Sequence, residues 1–226
     1  MTPHILDRPA LAALRTRHSI HAQGSGRALR YDPEVAPFIT AADDTAEAMA
    51  DIGGLLPADR IAIMVQRERP PLPPGAAIEM QVEGVQMVAQ SAMQPAGDLP
   101  VVELGADDVP EMIALATLTR PGPFLSRTYL LGGYVGIREQ GRLVAMAGER
   151  FQVPGYSEVS AVCTHPDARG KGYAGTLTRL VAGRIEGRGE TPFLHTFASN
   201  GNAIRLYEKL GFALRTKVIV TVLRKG

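Results

Sequence analysis

The segment 162–174 constrains the fold of this chain more than any other. An apolar, β-branched run leads into a turn that contains Gly170 and Gly172, and a helical pattern begins directly after the turn. A strand, a glycine turn and a helix in this order place several backbone N–H groups at the start of a helix, where an anion is stabilised. Arg169 and Lys171 add positive charge. The segment therefore predicts an α/β fold with a loop that binds a phosphate-bearing cofactor.

The apolar pattern of the last 128 or so residues alternates between the two kinds of regular structure. The predicted strands are 101–104, 133–139, 142–152, 158–164, 192–198 and 214–223. The predicted helices are 108–118, 173–187 and 200–210, with a short helix near 126–130. Because hairpins and crossovers both connect these strands, we expect a mixed central sheet flanked by helices, an α/β (α+β) arrangement.

Two changes in composition divide the chain. The proline run 70–74 excludes helix and central strand, and it joins apolar stretches at 60–66 and 76–88 that are predicted strands. The segment 91–100 is a predicted linker. We therefore expect a smaller N-terminal α/β region over residues 1–95 and a C-terminal domain over residues 98–226. The other elements predicted in the first region are helices over 9–18 and 43–52, the second ending at Gly53 and Gly54.

Charge and cysteine content exclude several classes of protein. The formal net charge of the 226 residues is +1, which argues against a nucleic-acid binder with a large basic face. A single cysteine, Cys163, allows neither an intramolecular disulfide nor a cysteine metal cluster and favours a reducing compartment. The sequence shows no signal-peptide pattern and no apolar run of the roughly 20 residues that a membrane span needs. We expect a cytoplasmic protein without metal, nucleic-acid or membrane partners.

Two short segments of the C-terminal domain carry a family resemblance. Residues 169–174 read Arg-Gly-Lys-Gly-Tyr-Ala, and residues 200–212 read Asn-Gly-Asn-Ala-Ile-Arg-Leu-Tyr-Glu-Lys-Leu-Gly-Phe. They resemble the patterns Arg/Gln-x-x-Gly-x-Gly/Ala and Asn-x-x-Ala-x-x-Leu-Tyr-x-x-x-Gly-Phe of the GNAT (GCN5-related) superfamily of N-acetyltransferases, in that superfamily's order and spacing. The resemblance covers residues 100–225. It implies the GNAT fold, with acetyl-CoA as co-substrate, no metal, and a primary amine of a small molecule or peptide as acceptor.

The first hundred residues lie outside this resemblance, because they contain no match to the loop pattern. Their helices and paired strands make them a candidate for a degenerate half of the same fold. Two hypotheses remain open for this region. It packs on the catalytic domain and shapes the acceptor site, or it supports a dimer, so that the protein is a monomer or a homodimer.

The resemblance assigns a binding site for coenzyme A. Backbone N–H groups over 170–174 are implied to hold the pyrophosphate. The strand 158–164 is implied to separate from the strand 192–198, and the backbone groups left unpaired would bond the pantetheine arm. The implied coenzyme A ligands are Val162, Thr164, Arg169, Gly170, Lys171, Gly172, Tyr173, Ala174 and Asn200.

Three residues are implied to take part in the reaction. The Val162 N–H would stabilise the oxyanion of the thioester carbonyl, and Tyr207 would protonate the departing thiolate. Glu158 would remove the amine proton, directly or through water. As the base, Glu158 would be partly buried among apolar neighbours that raise its pKa. The alternative is a glutamate at the strand end that faces water after the turn 154–156. Glu149 is the rival base, and a path through water alone is the third alternative.

Strand alternation gives one further expectation. It places Glu158, Ser160, Val162 and Thr164 on one face, and Val159, Ala161 and Cys163 on the other. Cys163 is then a small core thiol rather than a nucleophile. The alternative function for the whole chain is a non-catalytic acyl-CoA-binding sensor or interaction module that has kept the cofactor loop.

Overall fold

The computed structural model describes residues 4–94 and 99–226. The α-helices are α1 Pro9–Arg15, α2 Ala46–Leu55, α3 Val109–Thr119, α4 Tyr173–Gly187 and α5 Gly201–Lys209. The first five strands are β1 Ala22–Gln23, β2 Ala28–Tyr31, β3 Ile39–Ala41, β4 Ala62–Gln66 and β5 Ala76–Ala89. The other strands are β6 Val101–Leu104, β7 Tyr134–Glu139, β8 Arg142–Val153, β9 Tyr156–Thr164, β10 Thr191–Phe197 and β11 Phe212–Lys225. No helix in these two ranges combines the length and apolar character that crossing a bilayer requires.

Eight strands form one sheet in the order β4-β11-β5-β10-β9-β8-β7-β6, and β1 to β3 form a small second sheet. Every pairing in the large sheet is antiparallel except that of β9 with β10. This is the predicted mixed sheet with helices against it, so the fold class is confirmed. The small sheet was not predicted, because strands of two to four residues leave little periodic signal.

Two strands that precede residue 95, β4 and β5, belong to the same large sheet as the strands that follow residue 98. β5 lies between β10 and β11 and pairs with both, and β4 pairs with the outer side of β11. The predicted boundary and much of the predicted linker fall on residues 95–98, which lie outside the described ranges. The division into 1–95 and 98–226 stays a prediction about sequence segments, and the structure adds that both segments build one sheet.

The core packs on both faces of this sheet. Phe193 and Leu194 are neighbours on β10 and therefore point to opposite faces. Leu194 packs in the cluster that holds the inward side of α4, whereas Phe193 packs with Phe151 and with residues of α1 and β2. The N-terminal region thus covers part of one face, and α4 covers part of the other.

One predicted helix end is wrong. Gly53 and Gly54 lie inside α2, which continues to Leu55. A Cβ at position 53 would collide with the backbone carbonyl of Pro74, so glycine at this position allows the proline segment to pass close to the helix. The glycine therefore marks a close contact rather than a helix end.

Candidate active site

The site begins where β9 and β10 separate. These parallel strands pair only at Tyr156 with Thr191, Ser157 with Pro192 and Glu158 with Phe193. Beyond these pairs, β9 keeps β8 as its partner and β10 keeps β5. The separation exposes one edge of β9 to a gap in the sheet, as the sequence resemblance implied.

The loop from Arg169 to α4 has the geometry expected of an anion site. Gly170 and Gly172 have φ of 81° and 82°, a region that side chains with a Cβ rarely adopt. Gly172 caps α4, and the N–H groups of the first helical turn have no acceptor within the helix. Within the described ranges, the N–H groups of Gly170, Lys171 and Gly172 also have no acceptor. Several donors therefore converge at the positive end of a 15-residue helix.

A cleft of about 660 Å³ runs from this loop into the gap between the strands. The predicted site residues that line it are Val162, Thr164, Arg169, Gly170, Gly172, Tyr173, Ala174, Asn200 and Tyr207. Two residues of the predicted set, Lys171 and Glu158, are not in its lining. The structure therefore brings most of the predicted site residues together around one cavity.

Much of the positive charge of the cleft comes from residues outside the loop pattern. Lys171 is paired with Glu139 at 2.7 Å, and Glu139 also accepts a hydrogen bond from the Tyr173 hydroxyl at 2.6 Å. The charge of Lys171 is thus largely offset on the protein surface. The cations that line the cleft are Arg169 of the loop pattern and, outside that pattern, Arg120, Arg179 and Lys209. Arg179 could have been inferred, because it lies four residues after Gly175, in the first turn of α4, and therefore on the same side of the helix.

The predicted alternation of side-chain faces along β9 is wrong beyond Ala161, because β9 contains a β-bulge there. Ala161 has φ of 52°, and the register with β8 shifts there, with Cys163 opposite Met146 but Ser160 opposite Gly148. One extra residue on β9 reverses the order of faces beyond it. Val159 therefore packs with α4, whereas Cys163 packs in the separate cluster that contains α3. Burial raises the pKa of the Cys163 thiol to about 11, which leaves it neutral.

The bulge also turns polar groups of β9 towards the cleft. The hydroxyl of Thr164 is buried and finds no hydrogen-bond partner among the described residues. A buried polar atom without a partner is costly, and most are paired in folded proteins. Thr164 lines the cleft, so a polar ligand lying along β9 would satisfy it. The residues present therefore fit the phosphate and amide groups of coenzyme A.

Asn200, the residue before α5, and Tyr207, within α5, both line the cleft. The Asn200 side chain caps α5 by accepting the Ala203 N–H at 3.2 Å, so one of its polar atoms already has a structural role. Tyr207 is 8% exposed, and burial raises the pKa of its hydroxyl to about 12. The phenol therefore keeps its proton at neutral pH and is able to donate it.

Both environments predicted for Glu158, apolar neighbours that raise its pKa and a position facing water, are wrong. Its carboxylate is fully buried, but Arg150 binds both of its oxygens at 2.7 and 2.6 Å, and His195 Nδ1 lies 2.7 Å from Oε1. Burial alone would raise the pKa of Glu158, but the guanidinium and the imidazole overcome it and hold the pKa at about 2. Glu158 is therefore a charged carboxylate and a weak base, and its burial keeps it out of direct contact with an amine in the cleft.

The rival base, Glu149, is also engaged elsewhere. Its side chain is buried and accepts two hydrogen bonds from Arg188, at 3.1 and 2.6 Å, and one from the Ser157 hydroxyl at 2.6 Å. Arg188 lies just past the last residue of α4, at the opposite end from the anion loop. These bonds connect the C-terminal end of α4 to the sheet. Glu149 is not part of the cleft lining.

A second cavity, of about 250 Å³, lies mostly within the N-terminal region. Its walls are apolar and include Tyr31 and Phe38, together with Pro123 and Leu125 of the segment after α3. The residues just before that segment, Thr119 to Pro121, line the first cleft. The same connection therefore touches both cavities.

Comparisons with known proteins agree with this geometry. The sequence model of a family described as "FR47-like protein" matches residues 134–220. A solved structure from Novosphingobium aromaticivorans, whose name assigns it to the GNAT family of acetyltransferases, is 42% identical, with a TM-score of 0.93 over 99% of this chain and 100% of that chain. A GCN5-related N-acetyltransferase from Kribbella flavida is 18% identical, with a TM-score of 0.65 over 96% and 94% of the two chains, which shows similarity of fold. No curated protein matches the chain.

Proposed function

Because this chain belongs to the GNAT family and is thus an acyltransferase, we propose that it transfers an acetyl group from acetyl-CoA to a primary amine. The acceptor is a small molecule or a peptide, and both substrates bind before the chemical step. One observation carries the proposal. A single cleft joins the donor-rich start of α4 to the gap beside Val162 and Tyr207. A phosphate-bearing carrier held at one end therefore reaches the reacting groups at the other.

The binding part of this proposal rests on backbone groups. The N–H groups of the loop and of the first turn of α4 would hold the pyrophosphate, and Arg169 and Arg179 lie beside them. Acetyl-CoA supplies an activated acyl group in the form of a thioester. The exposed edge of β9 at Val162 and Thr164 would bond the amides of the pantetheine arm and orient the thioester. The Val162 N–H would donate to the carbonyl oxygen as negative charge develops on it.

Two proton transfers complete the reaction. Tyr207 would donate its proton to the leaving sulfur, since its hydroxyl stays protonated over the physiological range. Of the three routes that the sequence left open for the amine proton, direct transfer to Glu158 or Glu149 is disfavoured by their burial and ion pairs. The ammonium form of the acceptor first loses one proton to water, and the neutral amine attacks. We propose that the nitrogen, which becomes strongly acidic as the C–N bond forms, then loses its second proton to water as well.

The acceptor would enter from the side of the segment after α3. Pro123 and Leu125 of this segment share the apolar cavity with Tyr31 and Phe38 of the N-terminal region. This arrangement supports the hypothesis that the N-terminal region shapes the acceptor site, and it leaves the role of that region in a dimer as a separate prediction.

The test combines binding and turnover. Isothermal titration calorimetry with coenzyme A should show binding, and thiol release from acetyl-CoA should depend on an amine from a broad panel. Tyr207→Phe should lower kcat by about 100-fold or more and leave the affinity for coenzyme A unchanged. Tyr156→Phe is the matched control, because Tyr156 begins β9 outside the cleft and should keep native turnover.

Two results would contradict the proposal in different ways. If millimolar coenzyme A at low salt gives no heat in the calorimeter, the proposed coenzyme A site is refuted. Binding without acetylation of any amine would instead favour the alternative function, a non-catalytic acyl-CoA sensor.

A further inference from the structure

Gln86 lies at the centre of a buried chain of hydrogen bonds at the point where β9 and β10 separate. It is fully buried on β5. Its side-chain oxygen accepts from Arg215 at 2.8 Å, and its side-chain nitrogen donates to the Leu6 carbonyl at 2.8 Å. A guanidinium can only donate and a carbonyl can only accept, so these two partners fix the orientation of the amide.

This orientation determines where His195 carries its proton. The Gln86 nitrogen also lies 3.0 Å from His195 Nε2. Because that nitrogen is a donor, Nε2 must be the accepting, unprotonated atom of the ring. The ring proton is then on Nδ1, which lies 2.7 Å from Glu158 and donates to its carboxylate. A doubly protonated imidazole would place an N–H of Nε2 against the amide N–H of Gln86.

The charges around His195 are balanced when the ring is neutral. From β8, Arg150 pairs with Glu158 of β9, and from β11, Arg215 pairs with Asp7 of the N-terminal segment. These two ion pairs contribute no net charge. A proton on His195 would add one positive charge beside the gap. The amine acceptor of the proposed reaction is itself a cation before it loses its proton, so that charge would repel it.

We propose that Gln86 is a positioning residue that holds His195 as the neutral Nδ1–H tautomer and so keeps the cluster Arg150, Glu158 and His195 free of excess positive charge. Gln86, its partner Leu6 and the Arg215 partner Asp7 all come from the N-terminal region. That region therefore acts on the electrostatics of the site through a hydrogen bond as well as by packing. The effect on the amine rests on the proposed function, whereas the state of His195 does not.

The direct test is to measure by NMR which ring nitrogens of His195 carry a proton. Protein labelled with ¹⁵N in its histidines, with the His195 signals assigned by their loss in His195→Asn, should show one protonated nitrogen, Nδ1, at about pH 7. Gln86→Glu replaces the donor by an acceptor and should give a ring with both nitrogens protonated at the same pH. Gln86→Met removes the donor without adding charge and should make the second protonation easier than in the native protein, while circular dichroism confirms that each variant is folded.

Gln66→Glu is the matched control. Gln66 is another buried glutamine of the N-terminal region, but it bonds Arg8 and Asp44 instead of a histidine. Its substitution should leave the His195 signals as they are in the native protein. A native His195 with its proton on Nε2, a native ring protonated on both nitrogens at about pH 7, or unchanged His195 signals in both Gln86 variants would overturn the inference.

A kinetic measurement separates this inference from the proposed function. With an amine that the native protein acetylates, and at a pH where NMR shows both His195 nitrogens protonated, Gln86→Met should raise the KM for the amine by roughly tenfold and leave the KM for acetyl-CoA unchanged. Gln86→Glu should change the KM for the amine less, because its carboxylate offsets the second proton on His195. If no amine is acetylated, the proposed function fails, and the NMR result still decides the state of His195. An unchanged KM for the amine in Gln86→Met with a doubly protonated His195 would refute the electrostatic role.

Discussion

Removal of the Glu158 charge should destabilise the protein more than removal of any exposed carboxylate. The folded state holds the pKa of Glu158 at about 2, compared with 4.5 for the free group. At about 1.4 kcal/mol per pH unit, this difference corresponds to about 3 kcal/mol of stability near pH 7. Glu158→Gln also leaves the Arg150 guanidinium, whose side chain is 14% exposed, without its counter-ion. We therefore expect a loss of about 3–5 kcal/mol in the free energy of unfolding.

The pH dependence of stability gives a second, independent measure. Because the folded pKa lies below the unfolded pKa, the contribution of Glu158 is complete above the unfolded value of 4.5 and is lost as the pH falls towards 2. Through this group the native protein should lose about 2 kcal/mol between about pH 6 and pH 3, and Glu158→Gln should not. Urea unfolding at several pH values in this range measures the free energy of unfolding of both proteins.

Glu149→Gln provides the comparison for this experiment. Glu149 is buried like Glu158, but its partner Arg188 is 41% exposed and also lies 3.4 Å from Glu190. Water and Glu190 can therefore compensate Arg188, and we expect a loss of only about 1–2 kcal/mol. Equal losses for the two variants, or a Glu158→Gln protein with the native acid dependence, would refute the reasoning from the buried ion pair.

Three substitutions in the cleft test the geometry of the binding site. Thr164→Val removes a buried hydroxyl that has no partner in the described residues, so it should raise the free energy of unfolding by about 1 kcal/mol. The same variant should bind coenzyme A several-fold more weakly. A variant that loses both stability and coenzyme A affinity would contradict this reasoning. Gly172→Ala forces a Cβ into φ of 82° and should weaken coenzyme A binding about tenfold by calorimetry, whereas Gly183→Ala, inside α4, should not. Ala161→Gly relieves φ of 52° and should raise the melting temperature by a few degrees, and a marked fall would show that the bulge is not strained.

Local patterns predicted the anion loop because everything that defines it lies within a few residues. Two glycines, the strand before them and the helix after them are adjacent in sequence, and the structure gives both glycines the positive φ that only glycine adopts easily. The second segment likewise placed Tyr207 and Asn200 on the cleft side of a single helix. The order of strands after residue 100 followed from hydrophobic periodicity for the same reason.

The errors arose where a residue depends on distant partners or on one irregular backbone angle. Glu158 was singled out as the base, but the sequence could not show that Arg150 and His195 would surround it, since His195 is 37 residues away on another strand. The pKa was therefore predicted in the wrong direction. A single residue, Ala161, reversed the faces of β9 beyond it, and no local pattern marks an alanine for positive φ.

The position of β5 explains why the first hundred residues and the rest of the chain act as one unit at the site. β5 pairs with β10 along Gly84 to Val88 and with β11 along most of its length, so it fills the space between the two strands that follow the anion loop. Removing residues 1–95 would leave β10 and β11 without a shared neighbour and would expose the buried Phe193 and Val218, which pack with N-terminal residues. It would also remove Gln86 from His195. We therefore expect the isolated segment 98–226 to be insoluble or unfolded, and a soluble fragment with native coenzyme A affinity would show that the N-terminal strands are dispensable.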